Sequence, residues 1–332
     1  MRKIHITGGL YLSDIALGHS GRGTADKREE AFRIMDRYLA LGGDTFDSAR
    51  VYSDGEADRA FGQWLRSRGV ARESVRYVTK GSFPPPDRME VSRLSSAEIA
   101  RDLDESLALS GLNFSDLHLL HRDDVRIPVE ALVPRLDALV RTGKTRAVGV
   151  SNWTAPRIAE ANAFAHANGL TSIVCSQLLF GLAQTTPAAT GDLTHVVMDD
   201  AERTWYLDSA LPVMCFGTQA RGWFAACAAG KAPKESPKQY YDRLPENRRR
   251  LARLTVLAQA LGQPMPAVLL AYVRDCGLRS SALISFSGVA QLEEALRTDA
   301  FRLAPAQIAY LERGGTAAER FDPLSATEEV NP

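Results

Sequence analysis

The chain has 332 residues, 45% of them hydrophobic and 24% charged, which is enough to bury a large core. Its 40 basic and 40 acidic side chains balance, leaving neither a basic stripe for nucleic acid nor a like-charged tail. Cys175, Cys215, Cys227 and Cys276 lack paired spacing, the N-terminus lacks a long apolar core, and no apolar run reaches the roughly 18–20 residues a bilayer needs, so the expectation is a cytoplasmic protein without a disulfide framework or zinc motif.

Residues 3–12 alternate apolar and polar around Gly8-Gly9, which predicts a hairpin, with 1–13 as a cap. Residues 15–18 predict a first buried strand. The loop Gly18-His19-Ser20-Gly21-Arg22-Gly23 does not open a helix on its glycines and is not read as a dinucleotide loop, although backbone can approach a ligand there. A helix starts near Asp26, presents Ala31, Ile34, Met35, Tyr38 and Leu39, and stops at Gly42-Gly43. A strand ending at Asp47 follows, then a helix over 56–68 and a strand over 76–80. A helix capped by Ser96, a strand over 117–121 and a helix over 129–142 come next. A strand at 146–150, a helix capped by Thr154 and a strand at 173–177 continue the alternation.

The period then loosens. Residues 181–200 predict a long loop, 199–209 a helix and 212–216 a strand. Residues 217–245 have no clear period and read as an irregular lid candidate. Helices at 248–261 and 267–276, a strand at 281–286, helices at 289–296 and 305–313 and a loose tail at 314–332 complete the chain. Eight short apolar strands alternate with helices and no linker divides them. This predicts one α/β domain over 1–332, a (β/α)8 TIM barrel with an N-terminal β-hairpin cap and long loops on its C-terminal face.

Chemistry in such barrels gathers at the C-terminal strand ends. Asp47, Lys80 and His121 end three successive strands, and Tyr52 lies in the loop after the first. A phenol titrates near 10, and an adjacent ammonium lowers that value, so Lys80 is expected to acidify Tyr52 while Asp47 balances Lys80. His121 is placed to orient a carbonyl oxygen. Such a site needs a hydride source, because no side chain donates hydride. His118 and His121 have H-x-x-H spacing, but positions i and i+3 on a strand face opposite ways, so no metal site is read there.

These residues resemble the aldo-keto reductases, (β/α)8 barrels that reduce carbonyls with a nicotinamide cofactor through an Asp-Tyr-Lys-His tetrad. Residues 44–58, from Asp-Thr-Phe-Asp-Ser-Ala-Arg-Val-Tyr onward, match the strand-2 signature, and 119–124 and 143–153 match two more. The resemblance runs from about Ile15 to Leu303. It implies that Tyr52 is the general acid in reduction and the base in oxidation of a small carbonyl or alcohol substrate. It assigns Ser151, Asn152 and Gln177 to the nicotinamide carboxamide, Phe216 to the nicotinamide ring, and Gly217, Thr218, Gln219, Ala220 and Arg221 to the pyrophosphate. Ser285, Ser287, Gln291 and Glu294 match the adenosine end, and His19 and Trp153 are candidate substrate contacts. The family's usual cofactor is NADP(H). Residues 285–291 carry no cation for a 2′-phosphate, which leaves NAD(H) open, and Arg279 and Arg297 are the alternative cations. Two other functions stay open: a cofactor-binding sensor or partner subunit with little turnover, and a redox-assisted epimerase or lyase that retains its cofactor.

Overall fold

The computed structural model describes residues 1–18 and 27–314. Strands β1 (Lys3–Thr7) and β2 (Leu10–Ser13) pair antiparallel around Gly8, whose φ of +50° suits glycine. Eight parallel strands follow: β3 (Ile15–Gly18), β4 (Thr45–Asp47), β5 (Arg76–Gly81), β6 (Leu117–Leu120), β7 (Val148–Ser151), β8 (Ser176–Leu179), β9 (Val213–Phe216) and β10 (Ser280–Ile284). They close into a barrel in which β10 pairs with both β3 and β9.

Single helices cover the first crossings: α1 (Arg28–Ala40), α2 (Glu56–Arg68), α3 (Ser96–Ser110), α4 (Val129–Arg141) and α5 (Ala155–Ala167). The later crossings are longer. They hold α6 (Pro187–Thr190) and α7 (Asp200–Ser209) before β9, and α8 (Trp223–Ala228), α9 (Glu235–Tyr241), α10 (Pro245–Ala260) and α11 (Met265–Asp275) before β10. After β10 come α12 (Val289–Leu296) and α13 (Pro305–Arg313).

Two apolar clusters hold this arrangement. One joins the outward strand residues to the helices, with Phe46, Phe61, Trp64 and Tyr77 among its members. The other fills the barrel with Ala16, Val78, Leu117, Leu119, Ala147, Cys175 and Met214, and the hairpin residues Ile6, Leu10 and Leu12 pack into it. The hairpin therefore closes the N-terminal end of the barrel. Ser13 anchors it, through its N–H to Thr45 Oγ1 (2.7 Å) and its Oγ to Asp44 Oδ1 (2.7 Å).

Several predicted boundaries move for local reasons. The cap of α3 is Ser95, whose Oγ accepts the Glu98 N–H. Thr154 precedes α5 but makes no cap bond; the Ala155 N–H donates to the Glu202 carboxylate (2.9 Å) instead. Strand β8 begins at Ser176, three residues later than predicted, and α10 begins at Pro245, a residue suited to a first helical position. The segment 217–245 is not irregular, since α8 and α9 lie within it. Helices of six and seven residues are too short to show a period in the sequence. His19 and the tail residues 315–332 lie outside the described residues.

Helices α2 and α3 approach closely at Gly62, where a Cβ would lie 1.7 Å from the Ser110 carbonyl oxygen. Gly62→Ala is expected to lower stability by about 3 kcal/mol, the upper range for overpacking. Urea denaturation followed by circular dichroism checks this; an unchanged midpoint would contradict the observed contact.

Candidate active site

Side chains along a strand alternate between faces, and that alternation builds the site. The barrel interior holds Val78, Leu119, Cys175 and Met214. Two residues further along the same strands are Lys80, His121, Gln177 and Phe216. Asp47 and Ser151 take the equivalent positions on β4 and β7. Each functional side chain thus stands one step above an interior residue.

The deepest contact is an ion pair. Lys80 Nζ donates to Asp47 Oδ2 at 2.5 Å, and both side chains are essentially sealed from solvent. Gln177 Nε2 donates to the other carboxylate oxygen, Oδ1, at 2.8 Å. Burial works against the Lys80 ammonium, but attraction from Asp47 and Tyr52 outweighs it, and its pKa is raised. The ammonium lies 5.0 Å from the centroid of the Tyr52 ring. Tyr52 starts a short turn in which Ser53 and Asp54 take left-handed φ values of 49° and 53°. Its ring is edge-on to His121, centroids 5.8 Å apart.

The net effect on Tyr52 differs from the expectation. Burial raises its pKa more than the nearby Lys80 ammonium lowers it, and Asp47 adds to the rise. The phenol is therefore protonated at neutral pH. His121 is held well below the usual histidine value, first by burial and then by the positive charges of Lys80 and Arg122. Its Nδ1 is buried and finds no hydrogen-bond partner among the described residues. A proton on that neutral ring belongs at Nε2.

These groups line a cavity of about 470 Å³. Asp47, Tyr52, His121, Ser151, Asn152, Gln177, Phe216, Gly217, Thr218, Gln219, Arg221 and Ser285 are all in its wall. Lys80 lies behind the wall. Trp153 is not in the cavity: Asn152 takes φ +58°, the chain leaves the strand direction, and Trp153 is fully buried with the Arg157 guanidinium 5.2 Å from its ring centroid. Ala220 is buried outside the wall, and Ser287, just before α12, and Gln291 and Glu294, within it, are exposed, with Gln291 Oε1 accepting the Ser287 N–H (2.9 Å). His118 faces away from the cavity toward Thr79, its Nδ1 2.9 Å from the hydroxyl, and burial holds its pKa down at about 4. Among the described residues no cluster of three or more metal-ligating side chains is present.

The sequence reading missed Val51, Phe83, Arg122 and His195, which also line the cavity. Arg122 follows His121 directly, so its position was visible but its role was not. Its Nη1 donates to the His121 carbonyl (2.8 Å), its Nη2 to Asp192 (2.9 Å) and its Nε to Thr194 (2.8 Å), and it lies over Phe83. It ties the loop after β8 to the strand end that carries His121.

Comparison with known proteins agrees with this architecture. The solved structure of a thermostable aldo-keto reductase, Tm1743, superposes with a TM-score of 0.73 over 95% of this chain and 100% of that one, at 19% identity. An uncharacterised oxidoreductase of Bacillus subtilis, YrpG, is 26% identical over 297 residues, 87% of this chain and 88% of its own length. Norsolorinic acid reductase B of Dothistroma septosporum is 26% identical over 289 residues, 82% and 70% of the two chains. The model of the aldo/keto reductase family matches residues 14–314, and the chain belongs to that family.

Proposed function

We propose that the cavity takes a nicotinamide dinucleotide together with a small aldehyde, ketone or alcohol, and that Tyr52 moves the proton that accompanies hydride transfer. The observation that carries this reading is the buried Lys80–Asp47 pair placed directly against the Tyr52 ring at the cavity wall. A phenol set over a charged, water-excluded pair has little use in a passive binder.

The residues present fit the cofactor. Ser151, Asn152 and Gln177 supply amide and hydroxyl groups on one side of the wall, next to the Phe216 ring. Gly217 turns at φ +79°, its bare Cα facing Leu179, and the following turn closes with the Ala220 N–H on the Gly217 carbonyl (2.8 Å). When bound, the nicotinamide supplies the hydride that no side chain can. In reduction, Tyr52 donates its proton to the carbonyl oxygen and His121 Nε2–H holds that oxygen in place. Lys80 stabilises the phenolate left behind, and Asp47 keeps Lys80 charged. In oxidation the same phenolate accepts the alcohol proton.

The adenosine end favours NADH over NADPH. Ser285 and Ser287 are exposed and uncharged, and the Glu30 carboxylate comes within 3.3 Å of where a Cβ on Gly288 would lie. Arg33 and Arg37 of α1 are already paired, with Glu30 and Glu293. Ribose hydroxyls suit this surface better than a 2′-phosphate facing a carboxylate.

Two outcomes test the proposal. Tyr52→Phe should cut kcat by about 10²-fold or more while the affinity for the cofactor stays within about twofold, as loss of a general acid requires; near-normal turnover would remove Tyr52 from the chemistry. In fluorescence titrations the wild type should bind NADH more tightly than NADPH, and Ser287→Arg should shift the preference toward NADPH. An unchanged ratio would place the 2′-phosphate elsewhere.

A further inference from the structure

His195 comes from the loop between β8 and β9 and stands where three cavities meet, of about 470, 470 and 710 Å³, the first being the one that contains Tyr52 and His121. Its ring centroid is 5.9 Å from that of Phe216. The side chain belongs to no member of the tetrad and to no cofactor contact described above.

The hydrogen bonds around it decide which nitrogen carries the proton. Nδ1 lies 2.9 Å from Thr190 Oγ1. That hydroxyl has one proton, and two carbonyls compete for it, Pro187 at 2.8 Å and Asp192 at 3.2 Å. With its proton on a carbonyl, the Thr190 oxygen accepts the Asp192 N–H (3.3 Å) on one lone pair and can only accept from the imidazole on the other, so Nδ1 carries the hydrogen. Burial and the Arg122 guanidinium hold the ring neutral, with a pKa down at about 4 despite Asp192 nearby. A neutral ring protonated at Nδ1 has a bare lone pair at Nε2. That atom makes no hydrogen bond among the described residues, Asp192 Oδ2 being 3.6 Å away, and unlike Nδ1 of His121 it is not sealed off.

The cavity wall thus carries two imidazoles of opposite sense. His121 offers an N–H, matched to a carbonyl oxygen. His195 offers a lone pair, matched to an O–H. We propose that His195 is a specificity residue whose Nε2 accepts a hydrogen bond from a hydroxyl group of the substrate, so that the preferred substrates are hydroxyaldehydes or hydroxyketones over their unsubstituted counterparts. This rests on the reductase reading above.

The experiment compares glyceraldehyde with propanal at saturating reduced cofactor, for the wild type, His195→Phe and His195→Gln. The wild type should show kcat/KM higher for glyceraldehyde by about tenfold, the ratio one neutral hydrogen bond supports. His195→Phe should collapse that ratio to about unity, and His195→Gln, whose amide oxygen also accepts, should keep most of it. A wild type with no preference, or a preference that survives in His195→Phe, overturns the proposal alone. Failure of the wild type to oxidise NADH or NADPH with either aldehyde overturns the reductase reading, and the proposal falls with it. Long-range ¹H–¹⁵N correlation on the histidine-labelled wild type gives a readout independent of turnover: a pyridine-type Nε2 in His195 is expected, and a proton on that nitrogen overturns the assignment.

Discussion

An ammonium and a carboxylate, 2.5 Å apart and without solvent, occupy the centre of this barrel. Burying either ion alone would cost several kcal/mol, and together they are tolerated only because each completes the other and Gln177 satisfies the remaining carboxylate oxygen. The pair has consequences in three directions. It links side chains of β4, β5 and β8. It puts a positive charge against the Tyr52 ring, where a phenolate would otherwise have no counter-charge. It also adds to the burial that keeps the His121 imidazole neutral.

The barrel delivers these groups through a period of two. Interior positions are apolar up to a level marked by Val78, Leu119, Cys175 and Met214, and one step above it, apart from Phe216, they carry Lys80, His121 and Gln177. The hairpin seals the other end with Ile6, Leu10 and Leu12, so the polar layer opens on one face only. That face is also where backbone strain concentrates. Six of the seven non-glycine residues with positive φ among the described residues (Ser53, Asp54, Ser82, Asn152, Ala220 and Arg221) follow the C-terminal ends of strands. Each such conformation costs on the order of 1–3 kcal/mol unless its surroundings hold it. Here they do: Ser82 N–H, for example, is taken by the buried Asp102 carboxylate (2.7 Å).

The loop between β8 and β9 adds a second level of control. It is attached to the polar layer by Arg122, which bridges the His121 carbonyl, Asp192 and Thr194, and by Asn152, whose Oδ1 accepts the Val196 N–H (3.2 Å). Through those contacts the stretch between α6 and α7 brings His195 to the cavity wall, its ring centroid 5.9 Å from that of Phe216. Under the function proposed above, the chemistry would depend on the barrel and the choice of substrate on what the loop brings to it.

The sequence by itself determined the eight-fold alternation, most element bounds within a few residues, and the placing of Asp47, Tyr52, Lys80 and His121 at neighbouring strand ends, where the structure brings them together. These were legible because short buried strands are continuous apolar runs, and a polar residue ending such a run stands out. Tertiary structure alone decided the rest. It sent Trp153 into the core, since a left-handed turn at Asn152 leaves no mark in composition. It raised the Tyr52 pKa where a charge argument lowered it, because desolvation depends on depth in the barrel. It recruited Arg122 and His195, residues 73 positions apart, by bonds between a strand end and a distant loop that no local pattern encodes.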